Sequence, residues 1–146
     1  MATPTPETAI WLALKIKLQA LTLSPGLTIA YPNEDFTPPT GDNYLSTSLF
    51  RNDPLAATMG GTGKTRHMGI FQIMLHAKRN QDFAVAQEIA GDIANHFELG
   101  TSMTNNGFTV RVERPPSVGS DISRADEPLM LIPISIRWIA DATRGA

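Results

Sequence analysis

Gly60-Gly61-Thr62-Gly63-Lys64-Thr65-Arg66-His67-Met68-Gly69-Ile70-Phe71-Gln72-Ile73-Met74-Leu75-His76-Ala77-Lys78 decides the fold class, because its two halves point to different architectures. The first half almost spells a phosphate-binding loop. That loop needs a glycine, four residues and then Gly-Lys-Ser/Thr, set between a buried strand and the start of a helix. Counting back from Gly63-Lys64-Thr65 puts the first glycine at position 58, which holds Thr58. The second half alternates: Phe71, Ile73, Leu75 and Ala77 share one face, and Ile70, Gln72, Met74 and His76 share the other. Met68 to Lys78 is therefore a strand. A strand in this place leaves no helix N-terminus to gather backbone N–H groups around a phosphate. Gly60, Gly61 and Gly63 then read as the tip of a long hairpin arm, with Lys64, Arg66 and His67 near its base. An ordinary surface loop is the alternative reading.

Upstream, Tyr44 to Arg51 also alternates, with Leu45, Thr47 and Leu49 set against Tyr44, Ser46, Ser48 and Phe50. Asn52-Asp53-Pro54 breaks it, so the two strands enclose a loop of about fifteen residues, well beyond the usual hairpin connection. Leu27, Ile29 and Tyr31 form a shorter strand stopped by Pro32. Before it, Thr5-Pro6-Glu7 has the marks of a helix start: a capping hydroxyl, proline at the first position and an acid in the first turn. Ile10, Leu14, Leu18 and Leu21 continue that helix, and Ser24-Pro25-Gly26 ends it.

Downstream, Phe83, Ala86, Ala90, Ile93 and Phe97 repeat at helical spacing, with Asp82 as a cap and Gly100 beyond the end. Asn105-Asn106-Gly107 is a turn, and Phe108, Val110 and Val112 form a fourth strand closed by Pro115-Pro116. Ser117 to Pro128 is polar and loop-like. The fifth strand carries Met130, Ile132, Ile134, Ile136 and Trp138 on one side. Pro133 lies on its opposite face and cannot donate to a ladder, so this strand is expected at an edge or with a bulge. The element order α-β-β-β-α-β-β predicts a single α+β domain over 1–146. It has one mainly antiparallel sheet of about five strands, two main helices packed on it and a long hairpin arm.

Composition narrows the chemistry. The chain has 146 residues, 42% of them apolar, and a net charge of −2, which does not favour a surface that wraps nucleic acid. It has no cysteine, so disulfide and thiolate chemistry are excluded. No apolar run approaches the roughly 20 residues of a membrane span, and no basic residue precedes Lys15 as in a secretory signal. A soluble, cytoplasmic chain with no membrane partner is the expectation. His67, His76 and His96 have no partner at metal-ligand spacing, and Gly-x-Ser-x-Gly is absent. His96 reads as a residue at a helix C-terminus. Asp121 and Asp126-Glu127 fall in a polar loop with no hydrophobic wall to raise a pKa, so they read as solvated charge. No catalytic residue, metal site or cofactor is expected. Arg111 and Glu113 share the outward face of one strand, as do Ser135 and Arg137 of another. These charges either face water or, in a ring, line a channel or a subunit interface together with Pro133.

The whole pattern resembles the tail terminator proteins of long-tailed bacteriophages, a family related in fold to minor tail protein U. The resemblance rests on the N-terminal helix, Tyr31-Pro32-Asn33-Glu34-Asp35-Phe36-Thr37-Pro38, Tyr44-Leu45 opening a strand and Gly69-Ile70-Phe71-Gln72-Ile73. It rests also on the helix Ala86 to Phe97 followed by Gly100, and on the closing Ile134-Ser135-Ile136-Arg137-Trp138. It implies a structural virion subunit without enzymatic activity, assembled in the host cytoplasm. Such subunits form a hexameric ring on the head-proximal end of the tail tube. The implied partners are other copies of the chain, the major tail tube protein and the head-tail connector or neck proteins. DNA would pass through the lumen without sequence-specific binding. A neck or head-completion connector is the nearest alternative, and a small nucleotide-binding enzyme built on Gly63-Lys64-Thr65 the one from another class.

Overall fold

Two long strands form the spine of the molecule, and the alternation in their sequences explains why they lie side by side. In the computed structural model, which describes residues 5–21, 28–34, 36–37, 43–56, 63–78, 83–119, 122–123 and 129–143, the elements run α1 (Pro6–Gln19), β1 (Thr28–Ala30), β2 (Tyr44–Arg51), β3 (Leu55–Ala56) and β4 (Lys64–Lys78). They continue with α2 (Phe83–His96), β5 (Ser102–Asn105), β6 (Phe108–Val112), β7 (Ser117–Val118), β8 (Ile122–Ser123) and β9 (Leu129–Thr143). β4 and β9 pair antiparallel from Lys64 opposite Thr143 to Lys78 opposite Leu129. This register sets Phe71 against Ile136, Ile73 against Ile134 and Leu75 against Ile132, all fully buried. Each such side chain contributes roughly 1.5–3 kcal/mol relative to exposure. A slip by one residue would turn the whole row outward.

The class is α+β, with a mixed sheet in the order β1-β2-β4-β9-β6-β5 and the short β3, β7 and β8 attached beside it. β1 runs parallel to β2, and the other pairings are antiparallel. Both helices cover one face. Ile10, Leu14 and Leu18 of α1 and Ala86, Ala90 and Ile93 of α2 join the buried row of the sheet in one core. Trp11 meets Phe71 edge-on at 6.1 Å, and Phe71 meets Phe97 at 6.0 Å, so aromatic rings link α1, the sheet and the end of α2.

The expected helix start is present: Thr5 caps α1 by accepting the Thr8 N–H at 3.4 Å, and proline opens the helix. The end comes earlier than Ser24, at Gln19 with Ala20 as cap. The expected cap Asp82 lies outside the described residues. Phe83 opens α2 but is 49% exposed, and Ile89 takes a place on the buried face instead. His96 is the last residue of α2, and its Nε2 meets the Lys17 carbonyl, tying the ends of the two helices together.

Three expectations change. The sheet has more strands than five, because β3, β7 and β8 are two residues long, too short to show an alternation, and β5 is a mostly polar stretch whose backbone pairs without one. β9 is central rather than an edge. It has β4 on one side and β6, β7 and β8 on the other. Pro133 is tolerated there because its missing donor faces the gap between β7 and β8. Its carbonyl still accepts the Gly119 N–H at 2.8 Å, on that same side. Gly119 is required by this closeness, since a Cβ there would come within 2.8 Å of Pro133 Cγ. Finally, β4 begins at Lys64 instead of Met68, and Leu55 and Ala56 pair with Arg66 and Thr65. The fifteen-residue loop is therefore shorter than the sequence implies.

Candidate assembly surface

The face of the sheet away from the helices is built from the odd positions of β9 and the even positions of β2 and β4. It brings Tyr44, Phe50, Met68, Ile70, Met74, Pro133 and Ile139 alongside charged residues. Phe50, paired with Ile70 of β4 near the end of β2, is 53% exposed, a large apolar side chain left open on the surface. At one end, Tyr44 and His76 are directly opposite and stack at 4.2 Å, while Ser46 Oγ lies 2.9 Å from His76 Nε2. This Ser-His contact is a cross-strand polar pair. No group of three His, Asp or Glu that could hold a metal occurs among the described residues.

The predicted charges gather at the other end of this face. Arg111 on β6 stands opposite Ile139, and Arg137 on β9 stands opposite Ile70. Glu113 follows β6 and donates its backbone N–H to the Arg137 carbonyl at 2.9 Å. Arg66 and Asp141 face each other across β4 and β9, with Nε–Oδ1 at 3.0 Å and Nη2–Oδ2 at 3.4 Å. The hydrogen bond and charge of Asp141 hold the Arg66 guanidinium above its ordinary pKa, and Glu113 adds to this. Three arginines thus meet two acids on one open surface. Pro133 sits farther along the same face, opposite Met74.

The hairpin residues divide. Gly60 and Gly61 lie outside the described residues. Gly63 forms a bend before β4, and Lys64, Arg66 and His67 belong to the ladder with β9, opposite Thr143, Asp141 and Ala140. They are not the base of a free arm, because three backbone partners on β9 hold them in extended form. A loop of phosphate-binding shape is excluded at Lys64, which opens a strand. Asp141 escaped the sequence reading because Trp138 looked like the end of the last strand. The small residues Ala140 and Ala142 continue its buried row, and they are the signal that would have found it.

A cleft of about 590 Å³ opens beside β2, lined by Trp11, Pro32, Thr47, Ser48, Leu49 and Arg51. The Arg51 guanidinium donates to the Glu7 carbonyl at 2.9 Å. Desolvation lowers its pKa, and the charge of Glu7 works in the opposite direction. Nearby, burial raises the Tyr31 pKa, opposed by a hydrogen bond with Gln19 and reinforced by Glu34. No helix among the described residues is long and apolar enough to cross a membrane.

Comparison with known proteins then gives the family. No curated protein matches the sequence significantly. One solved structure, named only by a sequence identifier, superposes with a TM-score of 0.77 at 23% identity, covering 94% of this chain and 96% of its own. At that identity the likeness speaks for the fold. The family model described as "Phage tail terminator protein" matches residues 9–138, which take in most of α1, all of α2 and most of the sheet. The chain belongs to the phage tail terminator family, whose members are components of the phage tail.

Proposed function

We propose that copies of this chain close into a ring, six in number, on the head-proximal end of the tail tube. The ring stops further addition of the major tail tube protein and offers a docking surface to the head-tail connector or neck proteins. The role is structural, without catalysis or cofactor, and DNA passes through the lumen without sequence-specific contacts. One observation supports the reading beyond family membership: among the described residues, helices cover only one face of the sheet. The other face sets Phe50, Met68, Ile70 and Ile139 beside Arg66, Arg111, Glu113, Arg137 and Asp141. A mixed apolar and charged surface of this kind suits repeated protein contacts or the wall of a channel. We assign Arg111, Glu113, Pro133 and Arg137 to it as interface or channel residues.

The Gly60–Gly63 stretch is a further candidate contact, with a neighbouring ring as its partner. Electron microscopy of tails assembled with and without the protein tests the main reading. Overlong or polydisperse tubes are expected in its absence, and tubes of normal length that join heads normally would overturn it. For this stretch the test is deletion of residues 57–62, which leaves Lys64 and Thr65 of β4 in place. Normal tail length and head joining after that deletion would remove the arm from the mechanism.

A further inference from the structure

The sheet ends in two different edges, and both are only partly covered. At one end β1 pairs with β2 over Tyr44–Ser46 alone. Pro32 has no N–H to continue the ladder, and the chain turns away at Asn33, φ 59°, with the Glu34 N–H donating to the Tyr31 carbonyl at 3.3 Å. Thr47 Oγ1 reaches back to the Ala30 carbonyl at 3.2 Å. Beyond Thr47, no strand covers this side of β2 among the described residues. The Asn52 N–H donates to the Met68 carbonyl at 2.9 Å, so even positions of β2 direct their backbone groups at β4. Leu49 and Arg51 therefore direct theirs outward.

At the other end β5 pairs, among the described residues, with β6 alone. The Val112 N–H donates to the Thr101 carbonyl at 2.9 Å, so odd positions here face β6, and Ser102 and Thr104 direct their backbone groups outward. Each edge thus offers two residues at the same spacing, and each lies beside a cleft against α1. The β2 cleft is lined by Trp11 and Arg51, and the β5 cleft, about 230 Å³, by Ile16, Lys17 and Ala20. Ile16, 53% exposed, stands beside the β5 edge as apolar surface that a junction there covers.

Strand direction completes the match. β2, β4, β9, β6 and β5 alternate in direction, so β2 and β5 run the same way. Rotating a copy about an axis along the strands places its β5 parallel to the β2 of the next. A parallel neighbour is what β2 already accepts from β1 on this same edge. Two unlike edges joined head to tail make a heterologous contact, the kind that closes into a ring when the rotation permits. It also removes the bare edges that would otherwise recruit unrelated chains.

We propose that β5 of one copy adds in parallel to the bare β2 edge at Leu49 and Arg51 of its neighbour, so that subunits join through a continuous sheet. This rests on the ring reading above and names its interface. The test uses sedimentation velocity of the full chain across concentration, alone and with purified tail tubes. Leu49→Pro and Thr104→Pro each remove an outward N–H that the internal ladder does not use, and Arg51→Pro does the same should Leu49→Pro fail to fold. The variants are expected to keep the circular-dichroism spectrum of the parent and to associate about tenfold or more weakly. Amide hydrogen exchange at Leu49, Arg51, Ser102 and Thr104 is expected to slow on assembly of the unaltered protein. Variants that assemble like the parent, unchanged exchange at these amides in the assembled state, or a parent that stays monomeric in both conditions would each overturn the interface. Tails of normal length without the protein would instead sink the terminator reading, while sedimentation still decides the edges.

Discussion

A methyl group at position 69 has no room, since a Cβ there would lie 2.0 Å from the Phe50 carbonyl oxygen and 2.9 Å from Trp138 Cζ2. Gly69 is the partner of both Arg51 on β2 and Trp138 on β9, so the obstruction is backbone on one side and the largest core side chain on the other. Gly69→Ala is expected to cost more than about 3 kcal/mol, because neither neighbour can move without breaking the spine of the sheet. Thermal unfolding reads this as a fall in Tm of roughly 6–12 °C. A Tm within a degree of the parent would mean that β2 and β4 are farther apart than described. The sequence shows Gly69 only as a glycine within an alternating strand, a mark of close backbone approach. What approaches it is not legible there, because the register with Trp138 is set by residues more than sixty positions away.

At the scale of elements, hydrophobic alternation made the spine legible. Phe71, Ile73 and Leu75 must all face the core, as must Ile132, Ile134 and Ile136, and no other period satisfies those positions. The pairing of Lys64–His67 with β9 was hidden because the residues there are polar, and a backbone ladder needs no particular side chain. Pro133 misled for a related reason: a missing donor suggests an edge, yet a gap between two short neighbouring strands accommodates it equally well. β5 was missed although its signal was present. Asn106 and Gly107 have φ values of 50° and 83°, the two-residue turn with both central residues left-handed, which joins strands on either side. Gly107→Ala forces a side chain into that region and is expected to cost about 1 kcal/mol. Urea unfolding should show a lower midpoint with an unchanged slope. A midpoint equal to the parent's would mean that the turn does not hold β5 against β6, and with it one of the two edges proposed to join subunits.

For the whole molecule, the separation of one covered face from one open face turns a stable fold into a building unit. The core is satisfied without the outer row, so residues there can be changed without unfolding the domain. The candidate site was legible in part. The outward placement of Arg111, Glu113, Pro133 and Arg137 was legible because strand alternation tells inside from outside, whereas the Arg66–Asp141 pair depends on a long-range register. Arg111 and Arg137 are exposed, and the described residues hold no salt bridge from either of them. Arg111→Glu combined with Arg137→Glu should therefore leave Tm within about 2 °C of the parent, as surface changes generally do. The same double change turns a surface of three arginines and two acids into one of a single arginine and four acids. A partner surface matched to the original charge then meets repulsion, which weakens docking far more than it weakens folding. Phage carrying this variant should yield tails that are overlong, or tails that fail to join heads, and the defect should lessen as ionic strength rises during reconstitution. Normal tails from a normally folded double variant would show that the open face meets neither tube nor neck, and would leave the sheet edges as the surfaces on which assembly depends.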